Sequence, residues 1–421
     1  LRIQSIASFL MSQQGPIIVV ANTDRPPFAT ALEAAGMFPI IDTVWADAGR
    51  AVEAMQPAAV VVAASSDMVA SRFGALANEI AARKPYLPLI AVDPMGMLPE
   101  NAIPFASGGG HFDRLPARLR AALRVRTLHS TVMRRLDDDP AQRITLLDAD
   151  PARDATVLLI GRGAAYPALS VTLGERIGVV GALSIEAAAK HLNARDIDGI
   201  VLGEGFGPRV VDAFLTVLAE DARFRNLPVV VTSEGPAPAY DLPNLEFISG
   251  EPARVAANAL PLIRQHAFEA HLSRTLRAID AGGLLDPKTG LLAQAAFDRD
   301  FATAVYQTLS RGGGLSVARF SFGPEQERAR LDGARILSRL MRQMDFGAVV
   351  DGGSVIVVFA ETDLRTAHAI ARRLSSVMRH TSHGHRDARA EPVVALATLL
   401  PSDTAKSLLA RLDDEARRAA S

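Results

Sequence analysis

The stretch MRQMDFGAVVDGGSVIVVFAET, residues 341–362, places Arg342 and Asp345 three apart, with five residues between Asp345 and the run Asp351-Gly352-Gly353-Ser354-Val355. A guanidinium grips paired acceptors and a carboxylate accepts from paired donors, so the two together could hold one polar ligand. The spacing alone carries little. Arg-x-x-Asp recurs at Arg134, Arg135, Arg195, Arg209, Arg277 and Arg411, where it reads as solvated helical pairs worth about a few tenths of a kcal/mol. The glycine pair opens a strongly apolar run, as a turn feeding a buried strand does, yet no pair of acids stands beside it. Two other clusters could do chemistry. His380, His383 and His385 lie in one loop but lack the partners that would fix a metal geometry. GEGFGP (203–208) has the glycines of a phosphate loop without the lysine that follows one.

Composition narrows the classes. The chain has 421 residues, which implies two to four domains, and a net charge of −1, which offers no basic field for nucleic acid. Cysteine is absent, which excludes disulfides, thiolate metal sites and a cysteine nucleophile, and fits a reducing cytoplasm. No apolar run reaches the length of a membrane span. Residues 1–15 read as a leader ahead of the first strand.

The elements that must position these residues fall into three blocks. Residues 16–124 alternate short β-branched runs with helical stretches: PIIVVAN, PAAVVVAAS and YLPLIAVD separated by FATALEAAG and SRFGALANEIAARK. Residues 155–270 repeat the rhythm with ATVLLIGRG, IDGIVLGEG and NLPVVVTSE. Such alternation predicts a parallel sheet covered on both faces, and the matching spacing predicts a duplicated domain. Residues 125–154 read as a helix end and linker, 271–283 as a helical connector, and 284–421 as an α/β domain with a mixed central sheet around the hairpin.

The first two blocks resemble the doubly wound, flavodoxin-like receiver domains of response regulators. That family holds Mg²⁺ on acids after the first strand and phosphorylates an Asp ending the third. Here Ala21 and Asn22, then Gly161 and Arg162, follow the first strands, and Ala63 and Gly203 stand at the acceptor positions. Only Thr232 matches, with Asp24 and Glu204 as unorthodox acceptors. The resemblance implies two receivers that no longer take a phosphoryl group and serve dimerisation and docking.

The third block resembles the GGDEF domain of diguanylate cyclases. LLDPKTGLLAQAAF carries Asp286, Thr289, Gly290, Leu291 and Phe297 of the family's opening motif, and VFAET follows the hairpin as the family's LLPDT does. In this register Ser321 replaces the metal-binding Asp, and Asp351, Gly352, Gly353, Ser354 and Val355 replace the signature, with Gly353 and Ser354 at its two acidic positions. The guanine-reading Asn and Asp are missing as well. The resemblance therefore implies no diguanylate cyclase activity. It also implies a second site, the family's inhibitory site for cyclic di-GMP, at Arg342, Asp345 and Arg373. Arg372 takes the last role if the helix is rotated by one residue, and Arg176 or Arg153 would be the contribution from a receiver. Arginine suits guanine O6 and N7, and a carboxylate suits guanine N1–H and N2–H₂.

The order receiver–receiver–GGDEF resembles PleD-type response regulators. The resemblance implies a cytoplasmic, dimeric cyclic di-GMP effector, recruited to a cell pole, that needs no cofactor. It further implies an adaptor in cell-cycle proteolysis, handing CtrA to ClpXP with an RcdA-like partner. A ligand-independent scaffold, an atypical cyclase and a phosphorylation-gated regulator are the alternatives.

Overall fold

The computed structural model describes residues 15–22, 24–37, 39–64, 70–95, 98–138, 151–232, 240–323, 325–350, 353–379, 381–382 and 391–420. The leader, Asp351, Gly352, and the loop histidines His380, His383 and His385 lie outside these residues.

Three sheets organise the chain. The first comprises β1 (Ile17–Ala21), β2 (Ile40–Val44), β3 (Ala59–Ala63), β4 (Leu89–Val92) and β5 (Ala102–Phe105). Its order is β2-β1-β3-β4-β5 and every pair is parallel, the doubly wound order with a switch point between β1 and β3. Helices α1 (Pro27–Ala34), α2 (Ala48–Met55), α3 (Ala70–Ala81) and α4 (Leu115–Asp138) cover it. β1 reads IIVVA and is buried at all five positions, because a strand covered on both faces has no polar side.

The second sheet repeats the order. It contains β6 (Thr156–Ile160), β7 (Gly178–Ala182), β8 (Gly199–Leu202), β9 (Val229–Val231) and β10 (Leu245–Phe247), with α5 (Tyr166–Gly174), α6 (Ile185–Ala194), α7 (Pro208–Glu220) and α8 (Pro252–Asp280). In both units the fourth and fifth strands are joined with no helix among the described residues. The flanks bared there face each other. Arg118 of α4, fully buried, pairs with Glu246 of β10, 1 % exposed, at 2.7 Å. Glu246 also accepts from the Ala106 amide, and Arg118 donates to Pro243 O and Leu245 O.

Residues 125–138, read as a helix end running into a linker, continue α4 as helix. Val125 and Val132 are buried against Leu272 of α8, with Leu128, Leu136, Phe268, Leu276 and Ile279 around them. Their three-and-four spacing makes an apolar stripe that only the partner helix completes.

The third sheet holds β11 (Leu315–Ser321), β12 (Phe346–Val350), β13 (Ser354–Ala360) and β15 (Val393–Thr398), in the order β12-β13-β11-β15. Helices α9 (Gln294–Arg311), α10 (Glu327–Leu340), α11 (Leu364–Met378) and α12 (Ala405–Ala420) pack on it. Contrary to the mixed sheet expected, each pairing here is antiparallel among the described residues, since a hairpin joins β12 to β13 and a returning helix brings β15 beside β11. The mixed sheet is the second. Its edge strand β7 takes the short β14 (Thr381–Ser382) of the third domain as an antiparallel neighbour.

Candidate functional site

The hairpin β12–β13 and the end of β11 meet where the cyclase chemistry would sit. Ser321 ends β11 and Ser354 begins β13, and register puts them opposite each other. Their hydroxyls lie 3.2 Å apart. Two hydroxyls at this distance satisfy each other, and this pair offers a cation none of the negative charge that a pair of carboxylates would. Gly353 has φ +79°, and a Cβ on it would begin 2.3 Å from Arg330 Nη1. A guanidinium from α10 thus lies against the Gly353 backbone. Val355, the last position of the signature, is fully buried in the sheet core. Gly353→Glu should destabilise the fold by about 1–2 kcal/mol through the positive φ, with the Arg330 side chain able to swing aside, as read by urea unfolding.

Arg342 and Asp345 occupy the turn between α10 and β12. Asp345 is 8 % exposed, and its two carboxylate oxygens accept from the Arg342 amide at 3.3 Å and the Ala360 amide at 3.2 Å. Burial pushes its carboxyl above the ordinary range, against the pull of those amides and of the Arg342 charge. Asp345 is thus the lock of this turn. Asp345→Ala should cost about 2 kcal/mol in urea unfolding, because two amides lose a charged acceptor.

The Arg342 side chain is exposed and forms no hydrogen bond or ion pair with another described residue; the same holds for Arg372 and Arg373 on α11. Arg373 faces a cleft of about 520 Å³ between the second and third domains. Its walls are Ala189, Lys190, Asn193 and Ala194 of α6, Leu340 of α10, and Leu374 and Val377 of α11. Two capped helix starts hold this geometry: Ser184 Oγ accepts from Ala187 N at 3.1 Å, and Asp363 Oδ1 accepts from Thr366 N at 2.7 Å. Arg342 follows Leu340 by two residues on the turn leaving α10. Lys190 is exposed and likewise unpaired. Unpaired cations from two domains beside an apolar-walled cleft suit a ligand with anionic groups and flat apolar faces.

The structure does not bring Arg176 or Arg153 to this cluster. Arg176 pairs with Glu100 at 3.3 Å, and its carbonyl accepts from Arg328 at the start of α10. Arg153 lies 3.5 Å from Glu327, in the same first turn. The cleft opens beyond the other end of that 14-residue helix, about 20 Å away. Both arginines stand near the starts of strands β6 and β7, whereas α6 presents its last turns to the third domain. Lys190 was missed because no motif marks it; only the docking of α6 selects it.

Among the described residues, Asn22 follows β1 and Gly161 and Arg162 follow β6, so no acid pair stands directly after either strand. After β6, the Arg162 guanidinium lies over the Phe206 ring at 5.1 Å, and its amide donates to Glu204 O at 3.0 Å. A Cβ on Gly163 would meet Glu204 at 2.6 Å. The GEGFGP loop is closed by these contacts and leaves no phosphate cradle. Gly203 closes β8 by donating to Ile160 O, and Ala63 ends β3 half-buried. Asp24 is exposed. No group of three His, Asp or Glu among the described residues could hold a metal, and no helix among them is long and apolar enough to cross a membrane.

No family model matches the chain, and no curated protein matches it. Solved structures do. One is the coiled coil and GGDEF domain of DgcB from Caulobacter crescentus in complex with c-di-GMP, 14 % identical, covering 35 % of this chain and 86 % of that one, with a TM-score of 0.31. Another is a sensory box/GGDEF family protein from Caulobacter crescentus, 25 % identical over 32 % of this chain and 97 % of that one, TM-score 0.27. A third is the GGDEF domain of FimX from Pseudomonas aeruginosa, 20 % identical over 32 % and 94 %, TM-score 0.29. The chain is thus similar, over about a third of its length, to GGDEF domains, one of them solved with c-di-GMP.

Proposed function

We propose that the protein is a non-catalytic receptor for cyclic di-GMP that passes the signal on by binding other proteins. The observation that carries this reading is the contrast between two places in one domain. The hairpin that would bind metal and GTP holds Ser321 and Ser354 hydroxyls and an intruding Arg330. Elsewhere in the domain, Arg342 on the turn after α10 and Arg373 on α11 are exposed without an ion pair among the described residues, and Arg373 lines the cleft. Phosphates would meet Arg342, Arg373 and Lys190, and the purine faces would lie on the guanidinium planes and on Leu340, Leu374 and Val377. Asp345 would fix the turn and offer its remaining lone pairs to a guanine edge. A ligand held by α6 and α11 favours whichever domain arrangement brings them together, by its differential affinity for that arrangement.

Among PleD-type regulators the reading lies nearest the PopA-type branch, with degenerate receivers, recruitment to a cell pole, and delivery of CtrA to ClpXP with an RcdA-like partner. The first two domains would supply the docking surfaces, and the protein would work as a homodimer. The test is calorimetry with cyclic di-GMP on the wild type and on Arg342→Ala. Micromolar binding, lost in the variant, is expected; no binding by the wild type sinks the proposal. Incubation with GTP and Mg²⁺ should yield no cyclic di-GMP, and measurable turnover would overturn the non-catalytic part.

One observation favours a second reading, a ligand-independent scaffold. Both oxygens of Asp345 are already engaged by backbone amides, as a purely structural residue's would be. Partner capture that is equal with and without the nucleotide would select it.

A further inference from the structure

The chain's two joints are built from different chemistry. Between the first and second domains the apolar core is continuous: Phe105, Leu115 and Leu119 share one buried cluster with Val255, Ala259 and Leu262. The buried pair Arg118–Glu246 lies within this joint, and the helices α4 and α8 extend it past both sheets. Between the second and third domains no buried apolar cluster passes from one to the other among the described residues. Arginines hold that joint. Arg195, 1 % exposed, donates from the second domain to Val377 O and pairs with Asp332 at 3.4 Å. Arg339 donates to Leu192 O, Arg195 O and Asp196, Arg335 to Asp154 O, and Arg328 to Arg176 O. Beside these contacts lie the exposed Arg153–Glu327 pair and the short pairing of β14 on β7. The covalent link is Gly282-Gly283, with φ +65° and +77° and nothing within 4 Å of a Cβ built on either.

We infer that the third domain is hinged at Gly282-Gly283 and undocks as a body from the second, with Arg195 as the latch, while the first two domains stay fixed to each other. Burying apolar surface makes a permanent joint, whereas polar contacts between domains resemble those of transient interfaces. Exposed ion pairs such as Arg339–Asp196 are screened by salt, a buried one much less, and an apolar core is not. Arg195 matters most because its side chain is the most deeply buried of these arginines and joins both Asp332 and Val377 O.

The chain has no cysteine, so pairs of engineered cysteines can carry spin labels on the full-length protein. Glu53, Glu220 and Gln307 are exposed positions on the first, second and third domains. Pulsed distance measurements on Glu53→Cys/Glu220→Cys and on Glu220→Cys/Gln307→Cys are made at about 0.1 M and about 1 M salt, with and without Arg195→Met. The 53–220 distribution should stay single and narrow throughout. The 220–307 distribution should be single at low salt and gain a longer population at high salt and in Arg195→Met. Hydrogen exchange must meanwhile show the β13 amides still protected. A 220–307 distance that stays single in the variant, a 53–220 distance that splits with it, or loss of β13 protection each overturns the inference.

Discussion

Arg118→Ala should cost about 3–5 kcal/mol in urea unfolding, the largest single-residue loss expected in this protein, because it strands a carboxylate in a core shared by two domains. Glu246 is 1 % exposed and has Arg118 and the Ala106 amide as partners. Burial already pushes its carboxyl above the ordinary range, with Arg118 and Arg114 pulling it back. Burial likewise lowers Arg118, with Glu246 opposing. Without Arg118 the carboxyl rises further, so the folded state binds its proton more tightly than the unfolded state does. Stability of the variant then falls as pH rises through the folded-state value. The loss should be larger at about pH 8 than at about pH 5, where the unfolded carboxyl itself begins to take up a proton. Replacing both partners, Arg118→Met with Glu246→Leu, should recover part of the stability, since an apolar pair removes the desolvation cost of both charges while Pro243 O and the Ala106 amide lose their partners. A single loss below about 1 kcal/mol would mean that water reaches the pair and that the two domains do not share a core.

Cyclic di-GMP binding should fall about 10- to 100-fold in Arg373→Ala and by at least as much in Lys190→Glu, on the proposed reading of the cleft. Arg373 lines the cleft from the third domain and Lys190 lines it from the second. A charge-assisted hydrogen bond to phosphate contributes about 1.5–3 kcal/mol, and reversing the charge adds repulsion. Lys190 is the sharper test. It is exposed on α6 and takes no part in the third domain's own core, so its loss should leave the third domain's stability unchanged. The salt dependence of binding should also flatten in Lys190→Glu. Unchanged affinity there, with loss in Arg373→Ala, would confine the ligand to the third domain alone.

Much of the architecture was legible as local pattern. The runs around β1, β3, β6, β8, β11 and β13 are long, β-branched and buried on both faces, so hydrophobicity alone marks them. The strands β5 (AIPF), β7 (GVVGA) and β10 (LEF) were not legible. A proline, two glycines and a length of three residues leave little local preference, and pairing to an existing neighbour decides them. Residues 125–138 looked like a helix end because half of their apolar stripe has no purpose until α8 lies beside it. In the site, the Arg342/Asp345 spacing could be read directly, but the engagement of Asp345 by Ala360 could not, since fifteen residues separate them.

The sequence by itself determined which side chains are available at each position. No fold can supply a carboxylate where the chain carries Ser321, Gly353, Ala63 and Gly203, so the residue types at these positions are fixed before any packing. Tertiary structure alone decided which charges stand together. Arg118 meets Glu246 across 128 residues, Arg195 meets Asp332 across 137, and Lys190 shares a cleft with Arg373. The pairing of distant charges follows from which apolar faces must be covered and which helices are left outside, and that is a balance over whole surfaces that no local stretch of chain contains.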